Sequence, residues 1–198
     1  MAKLFFQGHG SYRITADDGR VIYVDPYAGS KESYAPPADI VLITHQHPDH
    51  NKIKLISQKE NCKIITNVEA LAGNKHNSFD FDGIFIESVE AKNLMHNPKK
   101  CVGYIITIDG IKIYASGDTS QTEQMKTFAE KNIDYALFAC DGKFNMNLKE
   151  AAECAKIINA KNNIPIHIPP VKLSYSKKAE NFNAPNKLII EANQEINL

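Results

Sequence analysis

Residues 39–51 read DIVLITHQHPDHN, an apolar run that ends in His45, His47, Asp49 and His50. Imidazoles and carboxylates are ligands for divalent cations. On an extended chain, side chains two residues apart point the same way, roughly 6.5–7 Å apart along the strand. His45 and His47 can therefore converge on one ion. On a helix they would not share a face, and the helical zinc signature spaces its histidines four apart. Pro48 pushes His47 toward extended geometry and then turns the chain, which aims Asp49 and His50 elsewhere. The spacing predicts two ions, one held by the strand-end pair and one by the pair past the turn. The bland alternative is a polar loop with surface histidines.

Two ions need more than four ligands. The other histidines are His9, His76, His96 and His167. His96 lies in a loop before a hairpin, and His167 ends a strand in IPIHIPP. His9 sits between glycines in QGHGS, and Asp118 ends a strand in IYASGDTS behind a small Ser-Gly pair. Strand ends that face loops are where sheet proteins build sites. A lone histidine is more often structural, so these residues carry weight only in sum with the motif.

The elements that must position these groups are many and short. LFFQGHGSYRIT and RVIYVDPY read as strands around ADDG, a hairpin signal. DIVLIT is a buried strand. KIKLISQKE reads as a short helix, and CKIIT and DGIFIESVEA as strands. CVGYIITIDGIKIYAS is a hairpin about Asp109-Gly110. SQTEQMKTFAEKN is helical, with Met125 and Phe128 on one face. IDYALFAC is a strand. NLKEAAECAKIINA opens with Asn147 and Glu150 at capping-box spacing and is a helix. NIPIHIPP is a strand, and KLIIEANQEINL gives one strand or two. The segment from Asn67 to Asp82 fits no element. Hairpins early and strand–helix alternation later suggest sheets packed together and flanked by helices.

The 198 residues suit one domain spanning 1–198. Lys plus Arg equals Asp plus Glu, so the formal net charge is zero. That argues against nucleic acid or an anionic membrane as the main partner. No apolar run is long enough to span a bilayer, and the start of the chain does not read as a signal peptide. Cys62, Cys101, Cys140 and Cys154 are scattered without a CxxC pair, as expected of reduced thiols in a cytoplasmic protein.

GHGSYRI, VIYVDPY, VLITHQHPDH, GYIITIDGIKIYASGDTSQTEQM and DGKFNMNLKEAAECAKIINAKNNIPIHI, in that order, resemble the metallo-β-lactamase fold superfamily. Its signature is HxHxDH followed by a later His, an Asp and a final His. Within it the chain most resembles small metal-dependent hydrolases related to L-ascorbate 6-phosphate lactonases. The resemblance implies an α+β fold, a four-layer αββα sandwich with a dinuclear site at one edge of the two sheets. It implies that His45, His47 and His96 hold the first metal, that Asp49, His50 and His167 hold the second, and that Asp118 bridges them. His76 matches nothing in the signature and reads as a surface residue.

Details discriminate within the superfamily. Di-iron relatives carry Glu where this chain has His47, which favours hydrolysis. β-Lactamases typically have Cys where Asp118 stands. Glyoxalase-type thioesterases usually have Gly where Asn51 stands, and RNA-processing relatives carry extra RNA-gripping elements not found here. After His167 the chain reads IPPVKLSYSKK, where relatives often show an aromatic residue.

The expected chemistry follows from charge. Two divalent ions roughly 3.5–4 Å apart can share a water, lower its pKa from about 15.7 toward neutrality and supply a bridging hydroxide as nucleophile. They also stabilise the developing anion. Asp49 can accept a hydrogen bond from the nucleophile and shuttle its proton. His9 is a candidate to line the pocket and donate to substrate or transition state. Asp25, in VDPY, is expected to orient a metal-bound histidine. Nitrogen and oxygen donors without thiolate suit Zn, Mn or Fe(II). Zinc is the first expectation, and manganese, associated with the lactonase branch, the second. The expected function is hydrolysis of a small-molecule ester, lactone or phosphodiester, with Lys143 and Lys172 as candidates to meet a phosphate. The alternatives are a di-iron-type oxidoreductase and a non-catalytic metal-binding module. A homo-oligomer stays open.

Overall fold

A computed structural model describes residues 1–168 and 177–198. Among the described residues twelve strands run in chain order: β1 Lys3–Gly8, β2 Ser11–Thr15, β3 Val21–Val24, β4 Ala38–Leu42, β5 Gln58–Ile65, β6 Ser78–Phe81, β7 Ile84–Glu90, β8 Val102–Ile108, β9 Ile111–Ala115, β10 Tyr135–Ala139, β11 Asn162–Ile166 and β12 Gln194–Asn197. They form two six-stranded sheets, ordered β12-β1-β2-β3-β4-β5 and β11-β10-β9-β8-β7-β6. In each sheet three antiparallel pairings lead into two parallel ones: β3–β4–β5 in the first, β9–β10–β11 in the second.

The inner faces build the main core. Leu4, Phe6, Ile14, Ile22, Ile40 and Leu42 of the first sheet meet Ile86, Tyr104, Ile106, Ile113, Leu137 and Ile164 of the second. Val41 and Ile43, on the opposite face of the β4 run, are buried too, against Tyr23, Tyr34 and Ile56. Burial on both faces is why DIVLI is continuously apolar rather than alternating. The outer face of the second sheet is covered by helix Leu148–Ile158 and a 3₁₀ stretch Glu123–Lys131, with Met125, Phe128, Cys154 and Ile158 against Tyr114 and Phe138. The outer cover of the first sheet is thin, two short 3₁₀ turns at Lys31–Tyr34 and Ile53–Leu55. The layering is αββα, with one outer layer reduced.

Several local readings change. LFFQGHGSYRIT is a hairpin of its own, closed at Gly8 (φ 114°) and His9 (φ 55°), with Gly8 opposite Ser11. KIKLISQKE is helical only at Ile53–Leu55; from Gln58 it joins CKIIT in β5, because β4 offers it a parallel ladder. SQTEQMKTFAEKN winds as 3₁₀, and Met125 and Phe128, three apart, suit a period of three. Asn147 caps its helix by accepting from the Lys149 and Glu150 N–H groups, at 3.0 and 2.9 Å. The Glu150 carboxylate instead accepts from Gln121 N–H. The reciprocal capping box instead opens the unplaced segment, between Thr66 just before it and Glu69, on the turn Asn67–Ala70. β6 follows it, and near the C-terminus only Gln194–Asn197 is strand, added to the β1 edge. All four cysteines are unpaired. No helix among the described residues is long and apolar enough to cross a membrane.

Candidate metal centre

Chain ends from both sheets converge at one edge. The β1–β2 turn brings His9, β3 ends at Asp25, and the loop after β4 carries His45, His47, Asp49 and His50. His96 lies in the loop before β8. β9, β10 and β11 lead into Asp118, Asp141 and His167. Main-chain bonds tie the two sheets here: Val102 N–H donates to Thr44 O at 3.0 Å, and His167 N–H to His9 O at 2.8 Å. Gly117 sits in the seam at φ 59°, where a Cβ would stand 2.7 Å from Val102 O. Only glycine fits there, and Asp118 is thereby set between the sheets.

Ligand atoms within 4.8 Å of one another form three overlapping groups: His45, His47 and His96; His45, His50 and Asp118; and His9, Asp49, His50 and His167. Asp118 faces both sides. Its Oδ2 lies 3.5 Å from His96 Nε2 and 3.9 Å from His45 Nε2, and its Oδ1 lies 3.5 Å from His50 Nε2 and 3.7 Å from His167 Nε2. His9 Nε2 is 3.1 Å from Asp49 Oδ2, and its ring lies against His167, centroids 3.7 Å apart. His76 is elsewhere, in a surface hollow with Lys75 and Lys99. Lys143 stands at the Asp141 turn, its Nζ 4.9 Å from the centre of the Phe144 ring. Lys172 and most of the stretch after His167 lie outside the described residues.

Partners behind the rings fix their tautomers. Asp25 accepts from Thr44 N–H at 2.8 Å, Thr44 Oγ1–H at 2.6 Å and His50 Nδ1–H at 2.8 Å. Since the only hydroxyl proton of Thr44 goes to Asp25, its oxygen accepts from His45 Nδ1–H, 3.0 Å away. Asn93 Oδ1 accepts from His96 Nδ1–H at 2.8 Å. His45, His96 and His50 therefore all turn an Nε2 inward, and the Nε2 atoms of His45 and His96 are 3.0 and 3.1 Å from His47 Nδ1. A single proton on His47 can satisfy only one of those lone pairs. His50 Nε2, both ring nitrogens of His167 and Asp118 Oδ1 are buried without a hydrogen-bond partner. Divalent cations fit this donor set, since each would satisfy several of these atoms at once.

The electrostatics agree. Burial and the charge of neighbouring imidazoles push His45 down to about 2. Burial likewise brings His167 to about 4 and lowers His96. His50 is pushed up to about 9: burial opposes its charge, but the carboxylates of Asp118 and Asp25 outweigh it. Burial also opposes ionisation of Asp118, yet His50, His167 and His45 hold it below the usual carboxylate range. Asp49 is held low as well, against burial, by its hydrogen bond to His9 and by His50.

Thr44, Asn93 and Asp141 were not singled out from the sequence. Asp141 Oδ2 lies 3.5 Å from His167 Nδ1, an ion-pair distance, and its carboxylate accepts from the Lys143 and Phe144 N–H groups. One signal for it existed: IYVD, YASGD and LFACD are all apolar strands that end in aspartate. Asn93 and Thr44 carry no comparable mark.

Residues 3–167 match the family described as a beta-lactamase superfamily domain. The chain is 30% identical to a UPF0173 metal-dependent hydrolase of Thermococcus kodakarensis, over 86% of this chain and 88% of that protein. It is 31% identical to another from Alkaliphilus metalliredigens, over 83% and 84%. Among solved structures it resembles Igni18, a metallo hydrolase from Ignicoccus hospitalis, with TM-score 0.77 and 21% identity over 98% of this chain and 97% of that one. The metallo-beta-lactamase fold protein YhfI from Bacillus subtilis aligns with TM-score 0.72 and 16% identity over the whole of both chains. At these identities the structures speak for the fold alone, while the family match and the sequence relatives speak for kinship. The chain belongs to the beta-lactamase superfamily by its domain and to the UPF0173 metal-dependent hydrolases by its relatives.

Proposed function

We propose that residues 1–198 act as one dinuclear hydrolase domain that cleaves a small ester, lactone or phosphodiester. The observation that carries this is Asp118, whose two oxygens face His45 and His96 on one side and His50 and His167 on the other. In this reading His45, His47 and His96 would hold one ion, Asp49, His50 and His167 would hold the other, and Asp118 would serve both. Zinc is the first choice of metal and manganese the second. Bound there, two divalent cations would acidify a water and polarise the substrate oxygen.

The chain's own groups do the rest. Asp25, Thr44 and Asn93 hold a proton on the outer Nδ1 of His50, His45 and His96, so that Nε2 is the nitrogen each neutral ring offers to a cation. The Asp49 side chain is 35% exposed, against 6% for Asp118 and 4% for Asp25. It is the carboxylate of the centre placed to take a proton from a water and pass it to solvent. The His9 side chain is fully buried on Asp49, so we assign it to orient that carboxylate and give it no direct contact with substrate. Lys143, exposed on the turn that follows Asp141, is the candidate to meet an anionic group of the substrate.

The test is metal content of the purified protein, followed by assays on a model phosphodiester, a panel of lactones and a thioester. About two equivalents of metal, and turnover that stops on chelation and returns on reloading, are expected. Turnover that survives complete metal removal would overturn the proposal. A His9→Ala variant with full metal content and unchanged kcat would remove His9 from the mechanism.

A further inference from the structure

Behind the carboxylate that faces both histidine sets lies a small space between the sheets. Tyr12, Asp25, Thr44, Asp118, His50 and His167 are among its walls. The room for the centre of a water-sized sphere is about 10 Å³, close to the least that one water needs. None of His9, His45, His47, Asp49 and His96 lines it. Asp49, which with His50 and His167 would hold the second cation, does not line it, so the space reaches inward from those ligands, between the sheets.

Two wall atoms carry the argument. Tyr12 rises from β2 and is 1% exposed, and its hydroxyl has no hydrogen-bond partner. Asp118 Oδ1 is buried and also lacks one. The Asp25 carboxylate, by contrast, already takes three donors. Tyr12 offers a proton, and ionised Asp118 can only accept. Buried polar atoms of that kind are normally joined through ordered water where the space admits one.

We propose that this space holds one water, which accepts from the Tyr12 hydroxyl and donates to Asp118 Oδ1, making Tyr12 a positioning residue that braces the shared carboxylate. The functional half of this rests on the dinuclear reading above; the water itself does not.

The test uses the full chain with metal. A high-resolution crystal structure of the wild type should show water within hydrogen-bond distance of Tyr12 Oη and Asp118 Oδ1. Tyr12→Phe should lower the urea midpoint and weaken metal binding by about 3- to 10-fold, less than loss of a direct partner of a ligand, as read by competition with a chromophoric chelator. A Phe variant as stable as the wild type or more so, with unchanged metal affinity, would mean that the hydroxyl is dry and the proposal wrong. Lower stability with unchanged affinity would overturn the positioning role. Should the variant not fold, the wild-type density decides the water. A wild type that takes up no metal would sink the dinuclear reading and leave the density to decide the water alone.

Discussion

Asp25→Asn isolates what one carboxylate does for the centre. Asp25 adopts φ 46°, a region that asparagine tolerates better than most residues, so the backbone is little disturbed. Three donors point at the native group: Thr44 N–H at 2.8 Å, Thr44 Oγ1–H at 2.6 Å and His50 Nδ1–H at 2.8 Å. An amide has one acceptor oxygen and one donor nitrogen. With its oxygen kept on Thr44 N–H, its NH₂ faces His50 Nδ1 and forces that nitrogen to become the acceptor. The ring proton then moves to Nε2, 3.5 Å from Asp118 Oδ1, and the lone pair meant for a cation is gone. Loss of such a partner typically costs about 10- to 100-fold in metal affinity, or about 1.4–2.7 kcal/mol. Thr44 Oγ1–H, which faces the same NH₂, loses its acceptor and turns to His45 Nδ1, 3.0 Å away, so the first ion loses one set tautomer too and keeps that of His96, set by Asn93. Stepwise titration of chelator-stripped protein, read by calorimetry, should show both sites weakened relative to the wild type. Two binding steps both indistinguishable from wild type would refute the tautomer argument.

Other consequences are equally concrete. A Cβ on Gly10 would stand 3.3 Å from His50 Cε1 and 3.5 Å from His167 Cδ2. Gly10→Ala should therefore weaken the second ion with little change in thermal midpoint, and an unchanged metal titration would count against the assigned ligands. Gly117→Ala must adopt φ 59° and meet Val102 O at 2.7 Å; it should destabilise the fold by about 2 kcal/mol or more in urea unfolding. For chelator-stripped protein, stability should peak near pH 6.5. Below that the unfolded chain binds protons that folded His45 and His167, at about 2 and 4, refuse. Stability is then lost at up to about 3 kcal/mol per pH unit until the fold's own histidines begin to titrate near pH 4. Above it, folded His50 keeps until about 9 a proton that the unfolded chain has already lost, so stability falls by about 1.4 kcal/mol per unit. A urea series from pH 4.5 to 9 that rises steadily would contradict this. Metal uptake at pH 7.5 should release about one proton, from His50, measurable as a dependence of the binding enthalpy on buffer.

Legibility in the sequence followed the range of the interaction. His45, His47, Asp49 and His50 declare themselves because backbone geometry and Pro48 act within a few residues, and the buried β4 declares itself by its apolar run. His96, Asp118 and His167 stood out only as loop and strand-end candidates, and their assignment to particular ions came through family resemblance. Their meeting depends on two sheets closing on each other, with Gly117 and the His167–His9 main-chain bond at the seam. Short elements were read least well. Whether Gln58–Glu60 is helix or strand was settled by the ladder β4 presents, and the 3₁₀ form of Glu123–Lys131 was settled by packing on β9 and β10. By itself the sequence determined that a strand tip carries paired imidazoles and a carboxylate. Only the tertiary structure decided which nitrogen each ring turns inward, because Thr44, Asp25 and Asn93 set the tautomers through contacts, most of which no local pattern encodes.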